Sequence, residues 1–216
     1  MDKKPRYIHT FYFRWLNFVY DPMLQYLGRK AKFKSRLVEQ ASLEKGHRAL
    51  DIGCGTATLT ILIKRACGDC EVVGLDGDPA ILEVARRKVA RAGLNIRLIH
   101  GTAAVLPFPD GAFDRVFTSL VLHHLSLEDR THALKEILRV LKPSGEFHIA
   151  ELGKPHNALM SLVSQVVGRL FELAWDFVRG LLPEVLTGAG FVQVVETYRI
   201  ATAFGTFALY RAQKPQ

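Results

Sequence analysis

The sequence predicts an α/β fold in which helices cover a mostly parallel β-sheet. Two strand–turn–helix units carry this prediction. In the first, an apolar run ends at Asp51, turns through Gly53 and Gly55, and continues as an amphipathic helix. In the second, an apolar run ends at Asp76 and a helix follows from Pro79. Strands that alternate with helices are typical of parallel sheets, and 216 residues are enough for one domain with a full core.

The turn in the first unit has the composition of a ligand-binding loop. Gly53 and Gly55 let the backbone approach a ligand closely, and the free N–H groups at the helix start favour a carboxylate or phosphate. A nicotinamide-type loop would have a third glycine where this chain has Thr58. Taken alone, the loop fits a cofactor site and an ordinary turn equally well.

The second unit favours the cofactor site. An acid at the tip of the second strand can accept both hydroxyls of a ribose, and Asp76 stands there. The alternative role, capping the next helix, better suits Asp78, which directly precedes Pro79. Asp76 is therefore predicted to bind the ligand.

The acid two residues before Gly53, the segment LPFPDGAFD (106–114) and the segment LRVLKPSGEF (138–147) together resemble the class I S-adenosylmethionine-dependent methyltransferases. The resemblance is to the ubiquinone/menaquinone C-methyltransferase type and covers about residues 20–152. It implies a Rossmann-like sheet of seven strands in the order 3-2-1-4-5-7-6, with the last strand antiparallel. It also implies S-adenosylmethionine as cofactor and S-adenosylhomocysteine as product. The loop departs from the family pattern at its last glycine, which is Ala57.

The resemblance also implies which residues contact the cofactor. The predicted set is Tyr20, Asp51, Gly53, Cys54, Gly55, Asp76, Gly77, Thr102, Ala103 and Ser119. Thr102 stands where family members usually carry an acid that accepts from the adenine amino group. Its uncharged hydroxyl would make a weaker bond, so modest cofactor affinity is expected.

The acceptor end of the site is predicted from the segment TSLVLHHL after the fourth strand. His123 and His124 follow that strand, and a histidine can act as general base for a phenol or carbon acid. We prefer His124 for this role; the alternative is a histidine of the core or cap. The segment lacks the Asn/Asp-Pro-Pro-aromatic motif of enzymes that methylate aromatic or amide nitrogens. This absence counts against nucleic-acid bases and protein glutamine as acceptors.

The three cysteines are typical of a reducing compartment. Cys67 and Cys70 form one C-x-x-C pair, which is half of a zinc site, and no other cluster supplies the rest, so no metal is expected. A redox pair and a surface turn with two thiols are both open, and the surface turn is favoured.

Residues 1–42 are predicted to form an N-terminal helical cap. The first forty residues hold nine cations against three acids, and seven aromatic residues stand among them over positions 7–20. Three interpretations stay open: a cap alone, a cap that also contacts an anionic membrane, and, least favoured, a nucleic-acid contact. Signal-peptide and membrane-spanning patterns are absent, so a cytoplasmic location is expected.

The methyltransferase domain is expected over residues 43–216, with an inserted lid at about 156–182. Residues 158–182 have the apolar spacing of one amphipathic helix. This helix could pack on the domain, cover a pocket for a lipophilic acceptor, or form a dimer or membrane contact. Monomer and homodimer are both open.

Two functions are compatible with the sequence. The first is methyl transfer to a small apolar or amphiphilic acceptor: a quinone precursor, a phospholipid amine or a lipophilic thiol. The second is a catalytically inactive adenosylmethionine-binding domain that acts as a membrane- or RNA-associated partner.

Overall fold

The computed structural model describes residues 30–170, 175–202 and 205–216. These residues contain one seven-stranded sheet in the order β3-β2-β1-β4-β5-β7-β6. The strands are β1 (Arg48–Ile52), β2 (Glu71–Asp76), β3 (Arg97–His100), β4 (Phe113–Ser119), β5 (Leu141–Leu152), β6 (Val192–Thr202) and β7 (Gly205–Gln213). β7 is antiparallel to both of its neighbours, and the other neighbouring strands are parallel. The predicted order and the antiparallel last strand are confirmed.

Helices pack around this sheet. They are α1 (Lys30–Glu39), α2 (Thr58–Ala66), α3 (Pro79–Arg91), α4 (Leu127–Val140), α5 (Ala158–Leu170), α6 (Trp175–Val178) and α7 (Leu182–Gly188), with a short 3₁₀ helix over Leu122–His124. The central strand β1 is almost wholly buried and its neighbour β4 has no exposed residue, as expected for parallel strands covered on both faces. The edge strand β6 alternates between exposed and half-buried residues. Asp78 caps α3 by accepting from the backbone N–H of Ala80 at 2.8 Å, as predicted.

The segment predicted as one helix over 158–182 is divided in the structure. α5 ends at Leu170, residues 171–174 lie outside the described residues, and α6 ends at Val178. Gly180 then adopts a φ of +82°, which an L side chain rarely adopts. The chain re-enters a helix at Leu182. The lid role of this segment stays a prediction.

The prediction for the C-x-x-C pair was wrong. Cys67 and Cys70 form a disulfide, and both are buried, at 8% and 1% exposure, rather than lying in an exposed turn as two thiols. The turn between α2 and β2 packs beneath Glu44, whose carbonyl oxygen lies 3.1 Å from the Cys70 Sγ. The spacing of the two cysteines could not predict the contact with Glu44, because Glu44 lies more than twenty residues away in the chain.

Residues 1–29 of the predicted cap, including Tyr20, lie outside the described residues. Across 30–170, 175–202 and 205–216, no helix combines the length and apolarity needed to cross a bilayer.

Candidate active site

The glycine loop follows β1 at the carboxyl edge of the sheet. The backbone N–H groups of Gly53 and Cys54 both donate to the carbonyl oxygen of Leu75, at 2.7 and 3.0 Å. These bonds hold the loop against the end of β2. Gly53 has a φ of +67°, and a Cβ atom at this position would lie 2.4 Å from Val121 Cγ2. The cofactor loop and the turn that carries the two histidines are therefore in direct contact.

Replacing Gly53 by Ala is expected to lower both the melting temperature and the cofactor affinity. The added methyl combines an unfavourable backbone conformation with a steric clash against the Val121 side chain. Gly46→Ala is the matched control, because Gly46 also has a positive φ (+83°) but nothing within 4 Å of an added Cβ. Calorimetric titration with S-adenosylhomocysteine and thermal melting of both variants test this. Equal losses in the two variants would show that backbone strain alone is responsible.

Asp76 ties the loop to the second strand. Its Oδ2 accepts from the backbone N–H of Gly55 at 2.8 Å, and its Oδ1 accepts from the N–H of Asp78 at 2.9 Å. Burial raises the pKa of Asp76, although these two hydrogen bonds partly oppose the shift. Each carboxylate oxygen keeps a further lone pair. Asp76 can therefore hold the loop and still accept from a ligand, a double role that the sequence pattern did not reveal.

Asp51 is enclosed by the protein. It is 1% exposed, and the hydroxyl of Thr60 donates to its Oδ2 at 2.6 Å. Burial raises the pKa of Asp51 to about 7, against the opposing effects of the Thr60 hydrogen bond and the positive charge of Lys34. Thr60 and Lys34 were not identified from the sequence, because neither belongs to the loop motif.

The raised pKa of Asp51 makes a signed prediction for stability. Between the ordinary value of 3.8 and about 7, the folded protein binds a proton that the unfolded chain has lost. The free energy of unfolding should therefore fall as pH rises through this window, with a slope approaching about 1.4 kcal/mol per pH unit from this group. Asp51→Asn should remove this component. Urea unfolding of both proteins across the window measures it, and parallel curves would contradict the prediction.

The predicted adenine end is more open. Thr102 is exposed and Ala103 half-buried, and the backbone N–H of Gly101 donates to the carbonyl oxygen of Asp76 at 3.0 Å. The carbonyl oxygen of Gly77 lies 3.1 Å from His100 Nε2. These contacts bring the ends of β2 and β3 together beside the loop.

Cys54 and Ser119 occupy different surroundings. The Cys54 side chain is buried against β2, so only its backbone is available to a ligand in the loop, and burial raises the pKa of its thiol. The Ser119 hydroxyl, at the end of β4, is shielded from solvent and has no hydrogen-bond partner in the described part of the chain. An unused buried donor at this edge is available for a ligand.

Glu151 organises the turn that carries the histidines. It is fully buried at the end of β5, and its Oε1 accepts from the backbone N–H groups of Val121 and Leu122, both at 2.8 Å. Its Oε2 lies 2.7 Å from His123 Nδ1. Burial alone would raise the pKa of Glu151, but the neighbouring His123 and these hydrogen bonds outweigh it and lower the pKa. Glu151 is therefore a buried carboxylate anion.

The two histidines differ in environment. His123 is largely enclosed and contacts Glu151, whereas His124 is open to solvent on part of its surface. Their ring centroids are 4.0 Å apart. Packing on the enclosed side of the His124 ring, together with repulsion from His123, lowers the pKa of His124. His124 is thus uncharged at neutral pH.

The structure brings most of the predicted residues to one edge. The glycine loop, Asp76, Ser119 and the histidine turn all lie at the carboxyl ends of parallel strands, where ligands bind in open α/β sheets. Among the described residues, no three His, Cys, Asp or Glu side chains are grouped to hold a metal ion.

Comparison with known proteins agrees with this arrangement. Residues 49–145 match the family model described as a methyltransferase domain. The chain is 34% identical to a demethylmenaquinone methyltransferase of Geobacillus kaustophilus, over 90% of this chain and 92% of that protein. It is 33% identical to a ubiquinone/menaquinone biosynthesis C-methyltransferase of Azotobacter vinelandii, over 91% and 85%.

A solved structure supports the fold. An S-adenosylmethionine-dependent methyltransferase from Aquifex aeolicus superimposes with a TM-score of 0.64 at 20% identity, over 84% of this chain and 89% of that one. The glycine loop, the acids beside it and the relatives over most of the chain lead to one conclusion. The chain belongs to the class I S-adenosylmethionine-dependent methyltransferases, within the ubiquinone/menaquinone C-methyltransferase type.

Proposed function

We propose that this methyltransferase methylates a ring carbon of a hydroxylated aromatic quinone precursor. The observation that carries the proposal is the buried Glu151 carboxylate bound to His123 Nδ1, on a turn that touches the cofactor loop. A fixed carboxylate–histidine pair is suited to removing a proton from an acceptor. The relatives named for demethylmenaquinone and ubiquinone/menaquinone methylation favour a quinone precursor over the amine and thiol alternatives.

The residues present fit the cofactor. The open backbone of the glycine loop, the remaining lone pairs of Asp76 and the unused hydroxyl of Ser119 supply contacts for a nucleoside and its polar tail. When bound, S-adenosylmethionine supplies a methyl group on a positively charged sulfur. The protein then has to orient the acceptor and accept a proton.

His123 is the better general base of the two histidines. An ionised carboxylate can only accept hydrogen bonds, so in the form of His123 that can act as a base the single ring proton is on Nδ1 and points to Glu151. This tautomer leaves Nε2 free to accept a proton. The proposal therefore gives the base role to His123, in place of His124, which the sequence analysis preferred.

The proposed reaction is a substitution in which a methyl group replaces the hydrogen on a ring carbon. The acceptor hydroxyl gives its proton to His123 Nε2, and the resulting oxyanion raises the electron density of the adjacent ring carbon. That carbon would take the methyl group that bound S-adenosylmethionine supplies, and the electron pair of the broken methyl–sulfur bond would stay on the sulfur as a neutral thioether. The ring carbon then loses its proton to water, which restores aromaticity, and the phenolate oxygen takes back the proton held by His123, so that one proton is released overall.

Two segments are proposed to cover the site. The segment at about 156–182 is proposed to cover a lipophilic acceptor, and exposed Leu159 and Leu162 on α5 support an apolar contact surface. The basic segment 1–42 is proposed to cap the site and meet an anionic membrane.

Methyl transfer to a reduced demethylnaphthoquinone tests the function. The purified protein is incubated anaerobically with S-adenosylmethionine carrying a labelled methyl group, and the product is extracted into organic solvent and analysed by fragmentation mass spectrometry. We expect the label on a ring carbon. A label on oxygen, or transfer only to amine or thiol acceptors supplied in parallel, would contradict the proposal.

A further inference from the structure

Arg130 is a buried cation whose hydrogen-bonding capacity is largely unused. It lies in the first turn of α4 and is 4% exposed. Its Nη2 donates to Asp176 Oδ2 at 2.7 Å. Its Nε and Nη1 are shielded from water and have no hydrogen-bond partner among the residues that the structure describes. Buried charges are ordinarily paired and fully hydrogen-bonded. A hydrogen-bond acceptor is therefore expected at the unused N–H groups of Arg130.

Phe177 connects this cation to the proposed base. The Arg130 Cζ lies 5.1 Å from the centroid of the Phe177 ring. The same ring meets His123 edge-on, with centroids 6.4 Å apart and planes at 77°. One aromatic ring thus contacts both the guanidinium and the imidazole that is bound to Glu151. Phe177 itself is 1% exposed.

We infer that the Phe177 ring occupies the position of the aromatic acceptor, and that Arg130 binds the oxyanion of the acceptor when the acceptor displaces this ring. The inference rests on the proposed function. An aromatic acceptor reproduces both contacts of the phenyl ring and adds an oxygen, which phenylalanine lacks. That oxygen accepts from the Arg130 N–H groups that are otherwise unused.

The chemistry of a guanidinium suits this role. It is protonated at all accessible pH values, and its hydrogen bonds to an oxyanion are charge-assisted and therefore strong. A fixed cation in a water-poor site stabilises negative charge as it develops on the acceptor. Asp176 does not satisfy this demand, because it contacts Nη2 and 45% of its side chain is exposed.

A matched pair of ligands tests the inference. Lawsone is a hydroxynaphthoquinone that is an anion at neutral pH, and its methyl ether is neutral and of similar shape. Both are titrated into the full chain saturated with S-adenosylhomocysteine. The wild type should bind the anion about tenfold or more tightly than the ether, and Arg130→Met should abolish this preference. Arg130→Lys should keep part of it.

Two further variants separate an oxyanion site from a purely structural fastening of α6 to α4. Asp176→Asn removes the ion pair but not the cation, so the preference should persist. Phe177→Leu removes the ring and should tighten the binding of both ligands. No preference in the wild type, an unchanged preference in Arg130→Met, or its loss in Asp176→Asn would overturn the inference. If Arg130→Met does not fold, Arg130→Lys and Asp176→Asn still decide the question.

The ligand-binding experiment and the methylation experiment can fail independently of each other. Ring-carbon methylation by a protein with no preference for the anion would leave the function standing and overturn the oxyanion site. An Arg130-dependent preference in a protein that does not methylate the quinol would overturn the function and support the site.

Discussion

Replacing Glu151 by Gln is expected to lower kcat by about 10²- to 10⁴-fold, the usual contribution of a positioned general base. The amide oxygen of Gln can still accept from the backbone of the histidine turn. Its NH₂ group, however, would face His123 Nδ1 and force this nitrogen to accept. The proton would then move to Nε2, and the imidazole could no longer take a proton from the acceptor. Single-turnover methylation measures the effect separately from product release.

The chain offers a matched control for this variant. Glu146 on the same strand β5 also pairs with a histidine, with its Oε2 3.2 Å from His148 Nε2, but this pair lies away from the carboxyl end of the strand. Glu146→Gln should leave kcat unchanged. His123→Ala should reproduce the loss of Glu151→Gln, and the double variant should add little, because the two residues act as one unit. An unimpaired kcat in Glu151→Gln would remove the pair from the mechanism.

Replacing Asp76 by Ala is expected to weaken cofactor binding about 100-fold or more. Hydrogen bonds to charged groups contribute roughly 1.5–3 kcal/mol each, and the variant would lose those that we predict Asp76 to make with the ribose. It would also release the Gly55 N–H that shapes the loop. Calorimetric titration with S-adenosylhomocysteine gives the Kd directly.

Asp78→Ala is the control for this variant. Asp78 lies two residues away and caps α3 through Ala80 and Ile81. Its loss should lower the free energy of unfolding by about 1 kcal/mol and leave the Kd for the cofactor unchanged. If Asp76→Ala bound the cofactor as tightly as Asp78→Ala, the ribose assignment would be wrong.

The cofactor half of the molecule was largely predictable because its determinants are local. The apolar run before Asp51, the glycines after it and the proline after Asp78 each act on backbone within a few residues. Strand, turn and helix cap follow from steric limits and nearby hydrogen bonds. The order of the strands followed from the family resemblance that these local motifs support.

The part of the site proposed to bind the acceptor was not predictable, because it is formed by contacts between distant segments. Glu151 reaches His123 across 28 positions and Arg130 reaches Asp176 across 46, so no spacing rule relates either pair. The same is true of the packing of the Cys67–Cys70 disulfide beneath Glu44. The sequence alone therefore determined the first strands, the glycine loop and the helix cap, since short-range sterics and capping specify them, and its family resemblance indicated the strand order and the class of cofactor. Only the tertiary structure decided which histidine meets a carboxylate and which arginine is buried, because burial and ion pairing are set by the packing of the whole domain.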